Sequence, residues 1–156
     1  MVNNSMANTH TFPNAPFFRE VRALLREHIK VTIHVQGGSM RPFLHNGDKV
    51  LLAPVAPEKL SEGDIVLART SAGVLLHRIV RIRKKEICLA GDANSNLLEH
   101  IEREDVIGVV DEAWRKGKSL HINSFSKRAL ACFWYLIRPF RGYILGACCR
   151  LKQSMK

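Results

Sequence analysis

Between positions 15 and 29 apolar residues recur every three or four places: Phe17, Phe18, Val21, Leu24, Leu25 and Ile29. That spacing predicts an amphipathic helix of about four turns over 15–29. Arg19, Glu20, Arg22, Arg26 and Glu27 form its other face. Such a helix caps the domain's own core or meets a membrane or partner. From position 31 the period falls to two. Val31, Ile33 and Val35 alternate with polar residues and predict a strand. A second strand follows over 49–53, then a polar, proline-bearing connection over 54–62. Residues 64–69 and 73–83 read as a hairpin about Thr70-Ser71-Ala72-Gly73. A short apolar strand over 86–90 ends at Gly91, and 106–114 with 119–122 form a last hairpin across Arg115-Lys116-Gly117-Lys118. Short strands separated by turn signals predict a mainly β, partly closed assembly.

Residues 129–149 break this pattern. They run apolar from Ala129 to Ile137, are interrupted by Arg138-Pro139-Phe140-Arg141, and resume from Gly142 to Cys149. A membrane span needs about 20 uninterrupted apolar residues, and two arginines and a proline at the middle are costly there. Trp134, Tyr135 and Tyr143 between basic flanks fit an interfacial helix, or a helix packed on the core. The chain thus divides into an arm over 1–14, a domain over 15–124 (helix 15–29, β core 31–123), and a basic, apolar C-terminal segment over 125–156. At 156 residues a single domain has room for a core.

Charge sharpens that division. The net charge of +10 is confined to the tail: residues 1–112 carry 14 Lys+Arg and 14 Asp+Glu, whereas 113–156 carry 10 Lys+Arg and no acid. Such a tail suits an anionic membrane surface through residues 127–152. Nucleic acid is the weaker expectation, because no groove-reading motif accompanies the charge. The four cysteines, Cys88, Cys132, Cys148 and Cys149, include no Cys-x-x-Cys. No metal site, disulfide framework or cofactor is expected, and free thiols point to a reducing compartment. The N-terminus lacks a charged segment followed by an apolar one, so no secretory signal is expected. The expected location is a membrane surface, on the cytoplasmic side.

Candidate chemistry centres on Gly37-Gly38-Ser39-Met40-Arg41-Pro42, which turns through His45-Asn46-Gly47-Asp48 into the strand at 49–53. Two glycines and a proline place Ser39 on a stiff loop where its hydroxyl is presented rather than packed. That suits a nucleophile; it also describes an ordinary surface serine. A base is needed to take the hydroxyl proton. His77, inside the apolar run Val74 to Val80, is the best on offer, or else a histidine satisfied within a strand pair. Arg78 stays protonated and is excluded.

Taken in order, Gly38-Ser39-Met40-Arg41-Pro42, Gly47-Asp48-Lys49-Val50, Gly63-Asp64-Ile65-Val66, His77-Arg78-Ile79-Val80, Gly91-Asp92-Ala93-Asn94 and Asp105-Val106-Ile107-Gly108 resemble the boxes of type I signal peptidases in their Ser–His branch, within the clan that includes self-cleaving SOS-type repressors. The resemblance implies that fold and a serine endopeptidase acting on signal or leader peptides, with Ser39 as nucleophile and His77 as base. Most relatives use a lysine base, but no lysine lies between Lys59 and Lys84 here. It implies an acid that orients the histidine: Asp92, with Glu99 as the alternative, since the aspartate that relatives carry a few residues on is absent. It implies substrate and oxyanion contacts from Gly37, Gly38, Ser39, Met40 and Pro42, the Ser39 N–H being one donor. Relatives often place a hydroxyl two residues before the serine, where this chain has Gly37. They also usually carry an N-terminal membrane anchor, which is not seen here.

The partner implied is a peptide or protein laid down as an added strand. A cytoplasmic location conflicts with signal-peptide removal on the far side of a membrane, and peptide maturation in the cytoplasm would resolve that. A self-cleaving regulator and a non-catalytic binding module are the other readings. Ala72-Gly73 resembles the repressors' cleavage dipeptide, but the lysine base and room for a helix-turn-helix before residue 31 are missing.

Overall fold

The computed structural model describes residues 15–93 and 97–122. The arm over 1–14, Asn94 and the segment over 125–156 lie outside the described residues. Helix α1 (Ala15–Arg26) is followed by strands β1 (Val31–His34), β2 (Lys49–Ala53), β3 (Ile65–Thr70), β4 (Gly73–Arg83), β5 (Glu86–Ala90), β6 (Leu98–Glu102), β7 (Val106–Arg115) and β8 (Lys118–Ser119). Single 3-10 turns at Pro57–Lys59 and Arg103–Asp105 lead toward β3 and into β7. The strands form one curled antiparallel sheet in the order β1-β2-β7-β3-β4-β5-β6, with β8 on β7.

The helix is three residues shorter than its apolar spacing predicts. His28 takes a left-handed φ of 62°. The Ile29 N–H then bonds the Leu24 carbonyl and the His28 N–H that of Leu25, which is the Schellman ending of a helix. Ile29 falls outside and is exposed. The predicted hairpins at 64–83 and 106–122 form, the second turning through Lys116 and Gly117, both at positive φ, as a two-residue hairpin loop requires. Its returning strand is Lys118–Ser119 rather than 119–122. Strand β6 has no counterpart in the sequence reading.

Side-chain alternation on β3 builds two cores. Ile65 and Leu67 join Phe18, Val21 and Leu25 of α1, with Val50, Leu52 and Val110, on one face. Val66 and Ala68 join Ile79, Ile87, Leu89 and Ile101 on the other. Strand β3, between β7 and β4, is therefore buried on both faces. It holds β4 in the middle of the molecule, and β4 carries His77 and Arg78.

Candidate active site

The serine loop is a closed excursion between β1 and β2. The Val35 N–H bonds the Asp48 carbonyl and the Gly47 N–H bonds the Val35 carbonyl, both at 2.8 Å, so its two ends are tied. Within it, Asn46 Oδ1 accepts from the Gly37 N–H at 3.0 Å, and residues 40–44 make a turn closed by the Leu44 N–H on the Met40 carbonyl. Met40 and Leu44 are fully buried in the core. Met40, which suits either a substrate contact or the core by sequence, is placed in the core and anchors the loop. Pro42 is exposed, after a cis Arg41–Pro42 bond. Gly37 and Gly38 are half-buried beside Ser39.

Asp48 holds the far end of the loop. Its carboxylate accepts the His45 N–H at 2.7 Å and the Arg115 guanidinium at 2.9 and 2.8 Å. Arg115 also donates to the Phe43 carbonyl. Burial alone would raise the Asp48 carboxyl, but the bonds from Arg115 and His45 outweigh it, and the group sits below its ordinary range. Sequence reasoning treated Arg115 only as a turn residue.

Two further segments converge on Ser39, and a third stands behind His77. The Ser39 carbonyl accepts the Ala93 N–H at 2.8 Å. Gly91 lies so close that a Cβ built on it would stand 2.8 Å from the Ser39 carbonyl oxygen, 3.1 Å from His77 Nε2 and 3.2 Å from Ser39 Cβ. Nε2 of the buried His77 and the side chain of Ser39 therefore flank one point above Gly91. The other ring nitrogen, Nδ1, is 2.9 Å from Glu99 Oε2. A carboxylate accepts only, so Nδ1 carries the proton in this pairing and Nε2 is left as the basic nitrogen. Glu99 Oε1 is buried without a hydrogen-bond partner among the described residues. The Ser39 N–H has no backbone acceptor among the described residues.

The carboxylate on His77 is thus Glu99, carried by β6, and not Asp92. Asp92 is engaged by the next residue of β4. Arg78 donates from Nε to Asp92 Oδ1 at 2.9 Å and from Nη2 to Oδ2 at 2.8 Å. Its Nη1 donates to the Gly63 carbonyl, and the guanidinium lies 5.1 Å from the centre of the Phe43 ring. Successive strand residues leave in opposite directions, so an aspartate held by Arg78 is turned away from the ring of His77. Arg78 ties together the turn before β3, the serine loop and the segment after β5. Its fork with Asp92 is buried on both sides, and forked, buried geometry is where such a pair is strongest.

Among the described residues no group of three or more His, Cys, Asp or Glu is placed to hold a metal. No helix among them is long and apolar enough to cross a membrane. The family model described as Peptidase S24-like matches residues 17–111, which span the helix, the serine loop, His77, Asp92 and Glu99. No curated protein matches the chain.

Proposed function

The chain belongs to the Peptidase S24-like family, and from that footing we propose that it is a serine endopeptidase with Ser39 as nucleophile, His77 as general base and Glu99 as the group that orients the base. The observation carrying this reading is the shared approach of Ser39 Cβ and His77 Nε2 to Gly91, with Glu99 behind Nδ1. As Ser39 Oγ attacks a peptide carbonyl, its proton passes to Nε2. Glu99 stabilises the imidazolium so formed. The oxyanion takes the Ser39 N–H. Collapse breaks the C–N bond, the Nε2 proton leaves with the amine, and water then hydrolyses the acyl-enzyme by the same route in reverse. Gly37 brings no hydroxyl to the oxyanion, and one missing donor lowers the rate by about 100-fold or more, which suits a slow enzyme with a dedicated substrate.

The substrates in this reading are signal or leader peptides, and residues 127–152 hold the enzyme at a membrane surface, facing the cytoplasm. Self-cleavage at Ala72–Gly73 is disfavoured. That dipeptide closes the β3–β4 hairpin, where Thr70 Oγ1 bonds both the Gly73 carbonyl and the Ala72 N–H. It lies four residues along β4 from His77, about 13 Å of strand.

The test is cleavage of peptides with small residues before the scissile bond by wild type, Ser39→Ala and His77→Ala, with anionic vesicles present. Cleavage lost in both variants supports the reading; cleavage surviving both sinks it. Failure of the protein to sediment with the vesicles removes the membrane half.

A further inference from the structure

Resting on the peptidase reading, we infer that the site selects extended peptides bearing an acidic side chain, which Arg41 recognises. A cleft of about 590 Å³ opens beside the serine loop, lined by His34, Gln36, Gly37, Gly38, Arg41 and Asn46 with the backbone around them. That volume falls in the range of ligand-binding clefts, and it begins one residue before Ser39. Gly37 and Gly38 leave its floor bare. Arg41 forms one wall: Cδ and Nε both stand 3.8 Å from the position a Gly38 Cβ would occupy. Arg41 is exposed and has no ion pair among the described residues.

The rest of the cleft adds nothing negative. Among the described residues no acidic side chain lines it. The nearest carboxylate along the loop, Asp48, is buried and taken by Arg115. His34 pairs in register with Lys49 across β1 and β2, which brings a second exposed cation to the same face. The cleft therefore carries an uncompensated positive field, and a low-dielectric wall on one side strengthens such a field at its mouth.

Geometry supplies the route in. Strand β1 ends the sheet order and is paired on one side only among the described residues. A peptide laid along its open edge would exchange backbone hydrogen bonds with β1 and run toward Ser39 past Arg41. A Glu or Asp of that peptide meets the guanidinium; a Lys meets repulsion. Opposite charges at a half-exposed site of this kind change affinity by about three- to tenfold.

The experiment uses the full chain and fluorescein-labelled decapeptides of Ala and Ser in which a single Glu, Gln or Lys is walked along the sequence. Cleavage is read by mass spectrometry with wild type. Binding is read by anisotropy with Ser39→Ala, which retains the cleft. Glu peptides are expected to be preferred over Gln peptides by about three- to tenfold at the best position, with Lys peptides last and the preference flattened in 1 M salt. Arg41→Gln should level the series and Arg41→Glu should invert it. Cleavage without a charge preference, or a preference unchanged by Arg41→Glu, overturns the inference and leaves the peptidase reading standing. Charge-selective binding with no cleavage by wild type does the reverse. Neither binding nor cleavage overturns both.

Discussion

Gly91→Ala adds one methyl group at the point where the serine loop and His77 meet. Gly91 is not there for backbone freedom, because its φ lies outside the left-handed region. It is there for space. The added carbon would stand 2.8 Å from the Ser39 carbonyl oxygen and 3.1 Å from His77 Nε2, against an ordinary contact of about 3.5–4.0 Å. Relief requires movements of about half an ångström to one ångström. The neighbours are fixed on all sides. Asp92 is forked to Arg78, Ala93 is bonded to the Ser39 carbonyl, and His77 is held by Glu99. Some of the displacement therefore falls between Nε2 and the serine. Misplacement of about 1 Å costs about 100-fold in rate, while overpacking costs about 1–3 kcal/mol of stability.

Gly108→Ala is the matched control. Its Cβ would also meet an atom at 2.8 Å, but that atom is Leu25 Cδ1, the far end of a core side chain in α1 rather than backbone or a residue beside Ser39. The assay is the rate at which a fluorophosphonate phosphonylates Ser39 Oγ with loss of fluoride, with the urea midpoint of each protein. Gly91→Ala should be folded and about 100-fold slower; Gly108→Ala should react at the wild-type rate. A folded Gly91→Ala protein that reacts as fast as wild type would refute the placement of Ser39 against His77.

Glu99→Gln should slow phosphonylation by about ten-thousandfold, because an amide on Nδ1 favours the wrong tautomer, and should leave the urea midpoint nearly unchanged. Asp92→Asn should do the opposite, costing about 3–5 kcal/mol by stranding the Arg78 charge while the remaining folded molecules react normally; the reverse pattern would return the orienting role to Asp92. Asp48 gives an acid dependence. Its folded-state pKa lies below the ordinary 3.8, so its contribution is complete above that value and is lost as pH falls through the folded value. The urea midpoint advantage of wild type over Asp48→Asn should be constant above about pH 5 and shrink in stronger acid; a gap that acid does not change would show that the pair contributes nothing through ionisation.

The helix and most of the strands were legible because their apolar positions are strongly periodic. Strand β6 was not. In Leu98-Glu99-His100-Ile101-Glu102 only Ile101 is buried, and the other inward position holds Glu99. A carboxylate facing inward erases the alternation by which a strand is read. The same residue bonds His77 Nδ1, so the missed strand and the open choice between Asp92 and Glu99 have one cause. The signal available was the histidine itself: a buried imidazole inside an apolar strand needs an acceptor, and the strand next but one supplies it. Met40 was open from its position beside the serine, which suits a substrate pocket or the core; the turn over 40–44 points it into the core, where it fixes the loop.

The order in which the partners occur along the chain has a consequence during synthesis. A growing chain that has reached residue 90 already contains Ser39 and His77, but not Asp92, Ala93 or Glu99. Arg78 then lacks the carboxylate that its fork holds, the serine carbonyl lacks its donor, and the imidazole lacks its acceptor. If Ser39 is the nucleophile, it is armed late, after β5 has paired with β4 and β6 with β5. In the peptidase reading, chains that end before residue 92 carry both principal groups and should be inert.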